Sequence, residues 1–363
     1  MAQILIAPGK YVQGSNELSN IASYVSTLGN KALCLITDSG IKRHKDIIDS
    51  SFSTSDTTIV YENFNRECSM TEINRIIDLC KKENIDVIVG VGGGKIFDTV
   101  KAVGYYLDIP VVIVPTIAST DAPCSALSVV YTDDGVFEKY LFLKQNPNVV
   151  LVDTDVVAKA PTRLLVAGMG DALATYFEAR ACKLSNASSC AAGTTTMAAQ
   201  NLAKLCYETL ITEGYKAKLA ADNNCSTKAL EKIIEANTLL SGIGFESGGL
   251  AGAHAIHNGL TVLPDCHHMY HGEKVAFGTI VQLVLENASE EELSEVLDFC
   301  VKVGLPITLE DLGIKEITKE KIMAVAEASV SPDDTIHNMP FKVTAEDVYS
   351  AILVADSLGK DYK

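Results

Sequence analysis

Residues 87–102 read VIVGVGGGKIFDTVKA, and this stretch predicts how the amino-terminal half of the chain folds. An apolar run of strand type is interrupted by Gly90, Gly92, Gly93 and Gly94, and a segment with helical apolar spacing follows. Strands joined through helices in this way build parallel sheets. Glycines also let a bulky anion approach the backbone, and free N–H groups at a helix start favour a diphosphate there.

Spacing alone leaves two interpretations of this turn open. The glycines do not follow the G-x-G-x-x-G pattern of dinucleotide-binding turns, because Lys95 stands where the last glycine would be. The P-loop pattern G-x-x-x-x-G-K-[ST] is not satisfied either. The turn is therefore either a cofactor diphosphate site or a tight strand-to-helix connection that needs glycine.

The patterns on either side of this stretch divide the chain into two parts. Strand signals at 31–37, 57–64, 86–91 and 109–116 alternate with helical spacing at 71–85 and 95–107. From Pro161 onward the patterns are long and helical, and strand signals are nearly absent. We predict an α/β nucleotide-binding domain with a parallel sheet at 1–160, an all-helical domain at 161–363, and an active site in the cleft between them.

Two further features of the first part favour a nucleotide cofactor. Asp38 ends the strand 31–37, where a carboxylate can accept both ribose hydroxyls of an adenosine and would repel a 2′-phosphate. A turn or helix N-cap role for Asp38 remains open. Residues 114–135 are rich in Ser, Thr and small residues and follow a strand directly, and such loops hold ligands in α/β proteins.

Composition excludes several classes of function. The 363 residues carry a net charge of −16 with a pI of about 4.9, which disfavours nucleic acid and anionic membrane surfaces as partners. The sequence has no apolar run of membrane length and no signal peptide at its start. Its ten cysteines form no C-x-x-C pair, as expected for buried thiols, and we expect a cytoplasmic location.

Histidine is concentrated in one segment of the second part. The chain has seven histidines, and five of them lie within residues 253–276: His254, His257, His267, His268 and His271. Several pairs stand three or four residues apart, so spacing does not choose among them. A catalytic zinc ion takes about three protein ligands and keeps one position open. The cluster therefore predicts a metal site, but spacing does not identify which of the histidines are its ligands.

A third ligand is expected from another segment. Asp171 is the only charged residue in the stretch VAGMGDALATYF, and a buried carboxylate is costly unless it is paired or bound to a metal. Asp171 is therefore the best candidate ligand, although an N-cap role after Gly170 remains open.

Five motifs together resemble one enzyme family: GGGKIFDTVKA, PTIASTDAPCSALSVVY, GMGDALATYFEA, GLAGAHAIHNGLT and HHMYHGEKVAFGT. They are similar in order and separation to the glycerol dehydrogenases, the polyol branch of the iron-containing alcohol dehydrogenase superfamily. The resemblance runs through nearly the whole chain. It implies oxidation of glycerol or a small vicinal diol to a ketone such as dihydroxyacetone, with NAD and zinc as cofactors, in a homo-oligomer such as an octamer.

The resemblance also implies roles for individual residues. Zinc ligands would be Asp171, His254 and His271, with substrate at the open position beside His254. Asp121 would bind the polyol and take part in catalysis, and Phe245 would form an apolar wall. The NAD site would comprise Asp38, Gly93, Gly94, Lys95, Asp98, Thr116, Ser119, Ser125, Leu127 and Tyr131. His257, His267 and His268 receive no ligand role and are assigned supporting or structural ones.

One departure from the wider superfamily bears on the metal. Iron-dependent members carry a histidine four residues after the aspartate, and this chain has Thr175 there. Three ligands with an open position fit zinc catalysis, although N/O sites discriminate poorly among divalent ions. The alternative activity is that of a superfamily member acting on a phosphorylated substrate, such as a glycerol-1-phosphate dehydrogenase or a dehydroquinate synthase-like lyase. Lys274 is the only basic residue in 111–138 and 241–280, which favours a neutral polyol.

Overall fold

The computed structural model describes residues 1–363, and its first half is built on a parallel sheet of six strands. The strand order is β1-β8-β5-β4-β2-β3. The strands are β1 (Tyr11–Gly14), β2 (Lys31–Ile36), β3 (Thr58–Asn63), β4 (Val87–Gly92), β5 (Val111–Pro115) and β8 (Val149–Asp153). This confirms the predicted parallel sheet, whose central strands form near-continuous apolar runs because both faces are buried.

Helices connect the strands and cover the sheet. They are α1 (Ile21–Val25), α2 (Asp38–Phe52), α3 (Met70–Glu83), α4 (Gly94–Leu107) and α5 (Thr154–Ala158). Leu33 and Leu35 of β2 face a large core that continues into the helical half, while Ala32, Cys34 and Ile36 face a smaller one. The alternation follows from the two-residue period of a strand, so a single strand contributes to both cores.

An antiparallel hairpin interrupts the region expected to be a loop. β6 (Leu127–Tyr131) pairs with β7 (Phe137–Phe142) in a separate two-stranded sheet. The stretch 114–135, expected to be a ligand loop, therefore contains a strand, and the loop that follows β5 is limited to residues 116–126. The β-branched and aromatic run LSVVY favours a strand once a partner is available to pair with it.

Every long element after β8 is a helix, as predicted. The helices are α6 (Thr162–Ser185), α7 (Met197–Asp222), α8 (Lys228–Glu235), α9 (Ser241–Gly248), α10 (Gly252–Leu260), α11 (His271–Leu285), α12 (Glu290–Val303), α13 (Lys319–Ser329) and α14 (Ala345–Tyr362). Asp171 lies in the middle of α6, so the N-cap interpretation of this residue was wrong. The boundary at residue 160 stays a prediction. None of the helices combines the length and the apolar character that a membrane span requires.

The segment 228–248 consists of three consecutive helical pieces. α8 passes through a π-helical turn at Ala236–Leu240 before α9 begins. Within this turn Asn237 donates to the carbonyl of Ala118 at 3.0 Å and to that of Leu165 at 3.1 Å. The widened turn therefore fastens α6 and the loop after β5 to the same point, consistent with the frequent occurrence of π-turns near functional sites.

Two backbone contacts bring α6 against its neighbours more closely than side chains would allow. A Cβ atom on Gly272 would lie 1.8 Å from the carbonyl oxygen of Ala167, and one on Gly168 would lie 2.0 Å from that of Ala118. Only glycine fits at such distances. α6 is therefore held against the start of α11 and against the loop after β5.

Candidate metal centre and cofactor cleft

Three predicted metal ligands from three helices meet in the helical half. Asp171 lies in α6, His254 in α10 and His271 at the start of α11. One ligand atom from each lies within 4.8 Å of the others. The Nε2 of His271 is 3.0 Å from Oδ1 of Asp171, and the Nε2 of His254 is 3.5 Å from the same atom. A carboxylate oxygen and two imidazole nitrogens are a donor set suited to zinc and other divalent transition metals.

The carboxylate of Asp171 is almost completely buried, with 1% of its surface exposed. Its Oδ2 accepts a hydrogen bond from the backbone N–H of Asp121 at 3.3 Å. Its Oδ1 has no hydrogen-bond partner, although both histidine nitrogens are close to it. A buried carboxylate oxygen without a donor is unfavourable, and a bound cation would satisfy it.

Glu178 orients one of the histidines. Its Oε2 lies 2.6 Å from Nδ1 of His254, and its Oε1 accepts the backbone N–H groups of Ala251 and His254 at 2.8 and 2.9 Å. A carboxylate at Nδ1 fixes the proton on that nitrogen, so Nε2 presents its lone pair to Asp171 and the cluster. Glu178 is fully buried and serves as the outer partner that histidine ligands of metals commonly have.

The electrostatics of the cluster favour a cation. Burial alone would raise the pKa of Asp171, but His271 and His254 outweigh it and hold this pKa below its usual range. Burial opposes a charge on His254, yet the carboxylates of Glu178 and Asp171 raise its pKa well above the ordinary value. The same concentration of negative charge would attract a divalent metal in place of protons.

Asp121 reaches the cluster from the other half of the molecule. It lies in the loop after β5, and its Oδ2 accepts a hydrogen bond from the hydroxyl of Ser241 at 2.8 Å. Ser241 in turn lies 2.8 Å from the hydroxyl of Thr175, one turn after Asp171 in α6. Burial and the nearby Asp171 carboxylate raise the pKa of Asp121 well above its usual value.

Phe245, predicted as an apolar wall, is buried one turn after Ser241 in α9. Helix α9 thus carries the hydroxyl that contacts Asp121 and the aromatic ring expected beside the substrate. The described contacts do not place a substrate against Phe245, and that role stays a prediction.

The predicted diphosphate turn lies at the start of α4. Gly93 is the N-cap and Gly94 the first helical residue, so the N–H groups that open the helix lack intrahelical acceptors. A Cβ atom on Gly94 would meet nothing closer than the Thr120 hydroxyl at 4.0 Å, which leaves open space in front of the helix. The Lys95 side chain instead turns to Glu67, with its ammonium 2.6 Å from that carboxylate. Asp38 is exposed in the first turn of α2, whose N-cap is Thr37.

Asp98 and Ser125, both predicted to contact the cofactor, are buried and engaged by one lysine. The ammonium of Lys101 lies 3.0 Å from Oδ1 of Asp98 and 3.3 Å from the hydroxyl of Ser125. It also donates to the carbonyls of Ala122 and Leu127. Burial raises the pKa of Asp98, and Lys101 opposes that shift.

The remaining predicted cofactor residues follow the edge of the same loop. Thr116 donates its backbone N–H to the carbonyl of Gly92 at 2.9 Å, which joins the end of β5 to the glycine turn. Ser119 is half-buried in the loop, and Leu127 and Tyr131 are the two ends of β6. Gly93, Gly94 and these residues therefore surround the carboxyl end of the sheet, but their contacts with a cofactor stay predictions.

The other three histidines of residues 253–276 fall into two groups. His257 is buried, and its ring centre is 4.1 Å from that of His271. Burial and the neighbouring His271 lower its pKa well below the ordinary value. His267 and His268 are exposed in the turn before α11, where His267 contacts the carbonyl of Thr261 at 3.1 Å.

Sequence analysis missed three buried charged residues of this region: Glu178, Lys101 and Glu246. Glu178 follows Asp171 by seven residues, and that spacing puts both on one face of a helix. Lys101 follows Asp98 by three residues in the same way. Glu246 is the one charged residue between Ala236 and Ala253. Each signal was present, because a charge in an apolar helix needs a partner.

Comparison with known proteins identifies the family of the chain. The iron-containing alcohol dehydrogenase family model matches residues 8–154. A glycerol dehydrogenase from Citrobacter freundii is 54% identical over 362 residues, which cover 100% of this chain and 99% of the relative. The crystal structure of a glycerol dehydrogenase from Schizosaccharomyces pombe has a TM-score of 0.96 and 40% identity, covering 99% of this chain and 92% of that one.

A third comparison shows the same pattern. The crystal structure of a probable glycerol dehydrogenase from Sinorhizobium meliloti 1021 has a TM-score of 0.93 and 44% identity, with 99% and 100% of the two chains covered. The chain belongs to the iron-containing alcohol dehydrogenase family, in the branch that contains the glycerol dehydrogenases, and it is an oxidoreductase. The predicted family and fold are thereby confirmed.

The contacts of Glu178 generate a prediction about metal affinity. Glu178→Gln should weaken zinc binding about 10–100-fold. The neutral amide favours the proton on Nδ1 of His254 less than a carboxylate does, and the substitution also removes a negative charge near the metal site. Zinc affinity is measured by competition with a chromogenic chelator. Glu292→Gln is the control, since Glu292 pairs with Arg180 near the surface. Equal zinc affinities for wild type and Glu178→Gln would show that Glu178 does not support the site.

Proposed function

We propose that this protein is a zinc- and NAD-dependent glycerol dehydrogenase that oxidises glycerol and small vicinal diols, with dihydroxyacetone as the product from glycerol. The observation that carries the proposal is the buried cluster of Asp171, His254 and His271, joined to Asp121 through the Asp121 N–H. Relatives of the same length and more than half identical are named glycerol dehydrogenases. The cluster supports a metal-dependent reaction, and the names of the relatives support glycerol as its substrate.

The residues of the cluster fit a zinc ion. They supply one carboxylate and two imidazoles, the number of protein ligands that catalytic zinc sites commonly have. The unpartnered Oδ1 of Asp171 and the oriented Nε2 of His254 are consistent with metal ligation. When bound, zinc supplies Lewis-acid activation of the substrate hydroxyl, and NAD⁺ accepts the hydride.

The chain's own residues bind and orient the polyol. In its ionised form Asp121 can accept a hydrogen bond from a substrate hydroxyl, and its carboxylate is held in one orientation by Ser241. Burial and the negative charge of Asp171 raise the pKa of Asp121, and a cation bound at Asp171 would favour the ionised form of Asp121. We assign to Phe245, which is buried one turn after Ser241, the apolar wall that excludes water beside the substrate. His254, held by Glu178, borders the same space.

The cofactor proposal depends on the carboxyl edge of the sheet. Gly93, Gly94 and Lys95 offer N–H groups at the start of α4 for a diphosphate. Asp38 lies after the next strand of the sheet, because β2 pairs with β4. A carboxylate in that position favours a ribose with free hydroxyls over a ribose 2′-phosphate. We therefore assign NAD rather than NADP.

The distribution of positive charge supports a neutral substrate. The ammonium of Lys101 is fully buried and occupied by Asp98, Ser125 and two backbone carbonyls. Lys274 is also buried, and burial lowers its pKa. A phosphate beside the cluster would lose its hydration without gaining a cationic partner from these lysines.

Membership of this family also supports assembly into a homo-oligomer, for which an octamer is our proposal. The exposed β7 strand carries Phe137, Tyr140 and Phe142, which are 49–57% exposed in the single chain.

Substrate preference is the first prediction of the proposal. We expect kcat/KM to be highest for glycerol and 1,2-propanediol, lower for 2-propanol, and lowest for glycerol 1-phosphate. The monohydric alcohol has no second hydroxyl for Asp121, and loss of one hydrogen bond to a charged group costs about 1.5–3 kcal/mol, or roughly 10–150-fold. Steady-state assays with NAD⁺ and zinc measure the three values. A preference for the phosphate ester would overturn the substrate assignment.

Cofactor preference is the second prediction. Wild type should use NAD⁺ much better than NADP⁺, because the Asp38 carboxylate would repel a 2′-phosphate. Asp38→Ser should narrow the ratio of the two kcat/KM values by at least about tenfold. Asp56→Ser, a change of an acidic residue before β3, serves as the control for net charge. Equal use of both cofactors by wild type would contradict the placement of Asp38.

A further inference from the structure

The loop that carries Asp121 is held from the helical half by one buried carboxylate. Glu246 lies in α9 with 2% of its surface exposed. Its Oε1 accepts the backbone N–H of Ala126 at 2.5 Å, and its Oε2 accepts the side-chain amide of Asn146 at 2.5 Å. The same Asn146 amide donates to the carbonyl of Cys124 at 2.9 Å. Glu246 therefore contacts the loop directly at Ala126 and through Asn146 at Cys124.

The same loop is held from the α/β half by a buried cation. Lys101 of α4 donates to the carbonyl of Ala122 at 3.0 Å, to the hydroxyl of Ser125 and to the carbonyl of Leu127. Glu246 and Lys101 thus bind the stretch 122–127 from opposite halves of the molecule. Two buried charges of opposite sign are costly to desolvate, and both are engaged here by several hydrogen bonds.

Asp121 immediately precedes the clamped stretch and also contacts α9. Its carboxylate accepts the hydroxyl of Ser241, five residues before Glu246. Helix α9 therefore contacts the Asp121 carboxylate through Ser241 at its start. It contacts the following loop through Glu246 near its end. A movement of the loop away from Glu246 would withdraw Asp121 from Asp171, whose Oδ2 its backbone N–H contacts.

We propose that Glu246 is a positioning residue for substrate binding, whose ionised carboxylate clamps residues 124–126 to α9 and thereby sets Asp121 beside the metal cluster. This inference rests on the proposed function, since it assigns Asp121 to the polyol. The carboxylate of Glu246 is engaged by Ala126 and Asn146 and makes no hydrogen bond to Asp171, His254 or His271. Its contribution is to KM for the polyol rather than to NAD⁺ binding.

The ionisation of Glu246 provides a signature that a purely structural residue would lack. Burial raises its pKa to about 7. The charged or titratable groups around it are Lys101, which favours the ionised form, and the thiols of Cys124 and Cys190. Burial raises the pKa of both thiols, that of Cys190 to about 12, so both are neutral near pH 7. Asp121 acts on the same two thiols, and its own pKa is raised by burial.

The sign of the pH effect follows from the hydrogen bonds. Both partners of Glu246 are donors, so the ionised carboxylate can accept from both. A proton added to either oxygen of Glu246 would point at one of these donors, so the hydrogen bond to Ala126 or to Asn146 would be lost. The clamp is therefore intact above a pH of about 7 and weakened as the pH falls through that value. KM for glycerol should rise on the acidic side.

The test compares Glu246→Gln with a matched variant, Glu72→Gln. Glu72 is also buried, and it too accepts a backbone N–H and a side-chain amide, both from Asn65, at 3.0 and 2.9 Å. It accepts in addition the guanidinium of Arg75 at 2.8 and 2.9 Å, so Glu72→Gln removes more contacts than Glu246→Gln but removes none from residues 121–127. In Glu246→Gln the new side-chain amide would turn its NH₂ group toward a donor and lose one contact. We expect KM for glycerol to rise about tenfold in Glu246→Gln, with kcat and the Kd for NAD⁺ changed less than about twofold, and no such change in Glu72→Gln.

Two further measurements make the result decisive. The difference in glycerol KM between wild type and Glu246→Gln should shrink as pH falls from about 8 to about 6, because wild type then loses the same contact. Hydrogen exchange in the peptide spanning 121–127 should be about tenfold faster in Glu246→Gln at a pH of about 8, and unchanged in Glu72→Gln. If Glu246→Gln does not fold, Asn146→Ala removes the second leg of the clamp and should give the same changes in KM and exchange.

The outcomes separate this inference from the proposed function. Unchanged KM and exchange in a variant that oxidises glycerol would overturn the role of Glu246 and leave the function standing. A fall in kcat and NAD⁺ affinity as large as the rise in glycerol KM would show a general structural role. That result would also overturn the positioning role of Glu246. Faster exchange of 121–127 in a protein that does not oxidise glycerol would retain the clamp and reject the function.

Discussion

The site depends on a carboxylate buried in the middle of a long helix. Asp171 has 1% of its surface exposed, and one of its oxygens lacks a hydrogen-bond donor. Such a group is unfavourable unless a cation compensates for it. The surrounding structure keeps this carboxylate buried. Gly272 lets α11 pack closely on the backbone of α6, and Gly168 lets the loop after β5 do the same. His271 and Asp121 reach the carboxylate as a result of these two approaches.

The two halves of the protein contribute different groups to the proposed site. The parallel sheet ends in a glycine turn and an exposed carboxylate, which suit a dinucleotide, while the helices supply the metal-binding donors. The loop 116–126 connects the two, and it is fastened to both by Lys101 and Glu246. In the proposed reaction, hydride transfer requires the cofactor and the substrate carbon to be within contact distance, so we expect the position of this loop to affect the rate.

Much of the fold followed from periodicity, and some of the site did not. The run of apolar strands around the glycine turn predicted the parallel sheet, and the long helical patterns predicted the second half. Pairing of LSVVY with a later strand was not predictable from the loop composition, because a hairpin depends on its partner. The π-turn at Ala236–Leu240 has no sequence signal, since it arises where Asn237 contacts α6 and the loop together. Asp171 was identifiable as a charge among apolar residues. The choice of His254 and His271 among five histidines came from family resemblance. Residue spacing could not make this choice, because it depends on how three helices are placed in space.

Zinc titration of chelator-treated protein determines whether a metal at Asp171, His254 and His271 is required for glycerol oxidation. Zinc is added in fractions of an equivalent per chain, and bound metal and NAD⁺-dependent glycerol oxidation are measured on the same samples. Our hypothesis is that activity is absent at the start, rises in proportion to bound zinc and reaches its maximum at about one ion per chain, the stoichiometry of a single three-ligand catalytic site. Full activity in metal-free protein would contradict it.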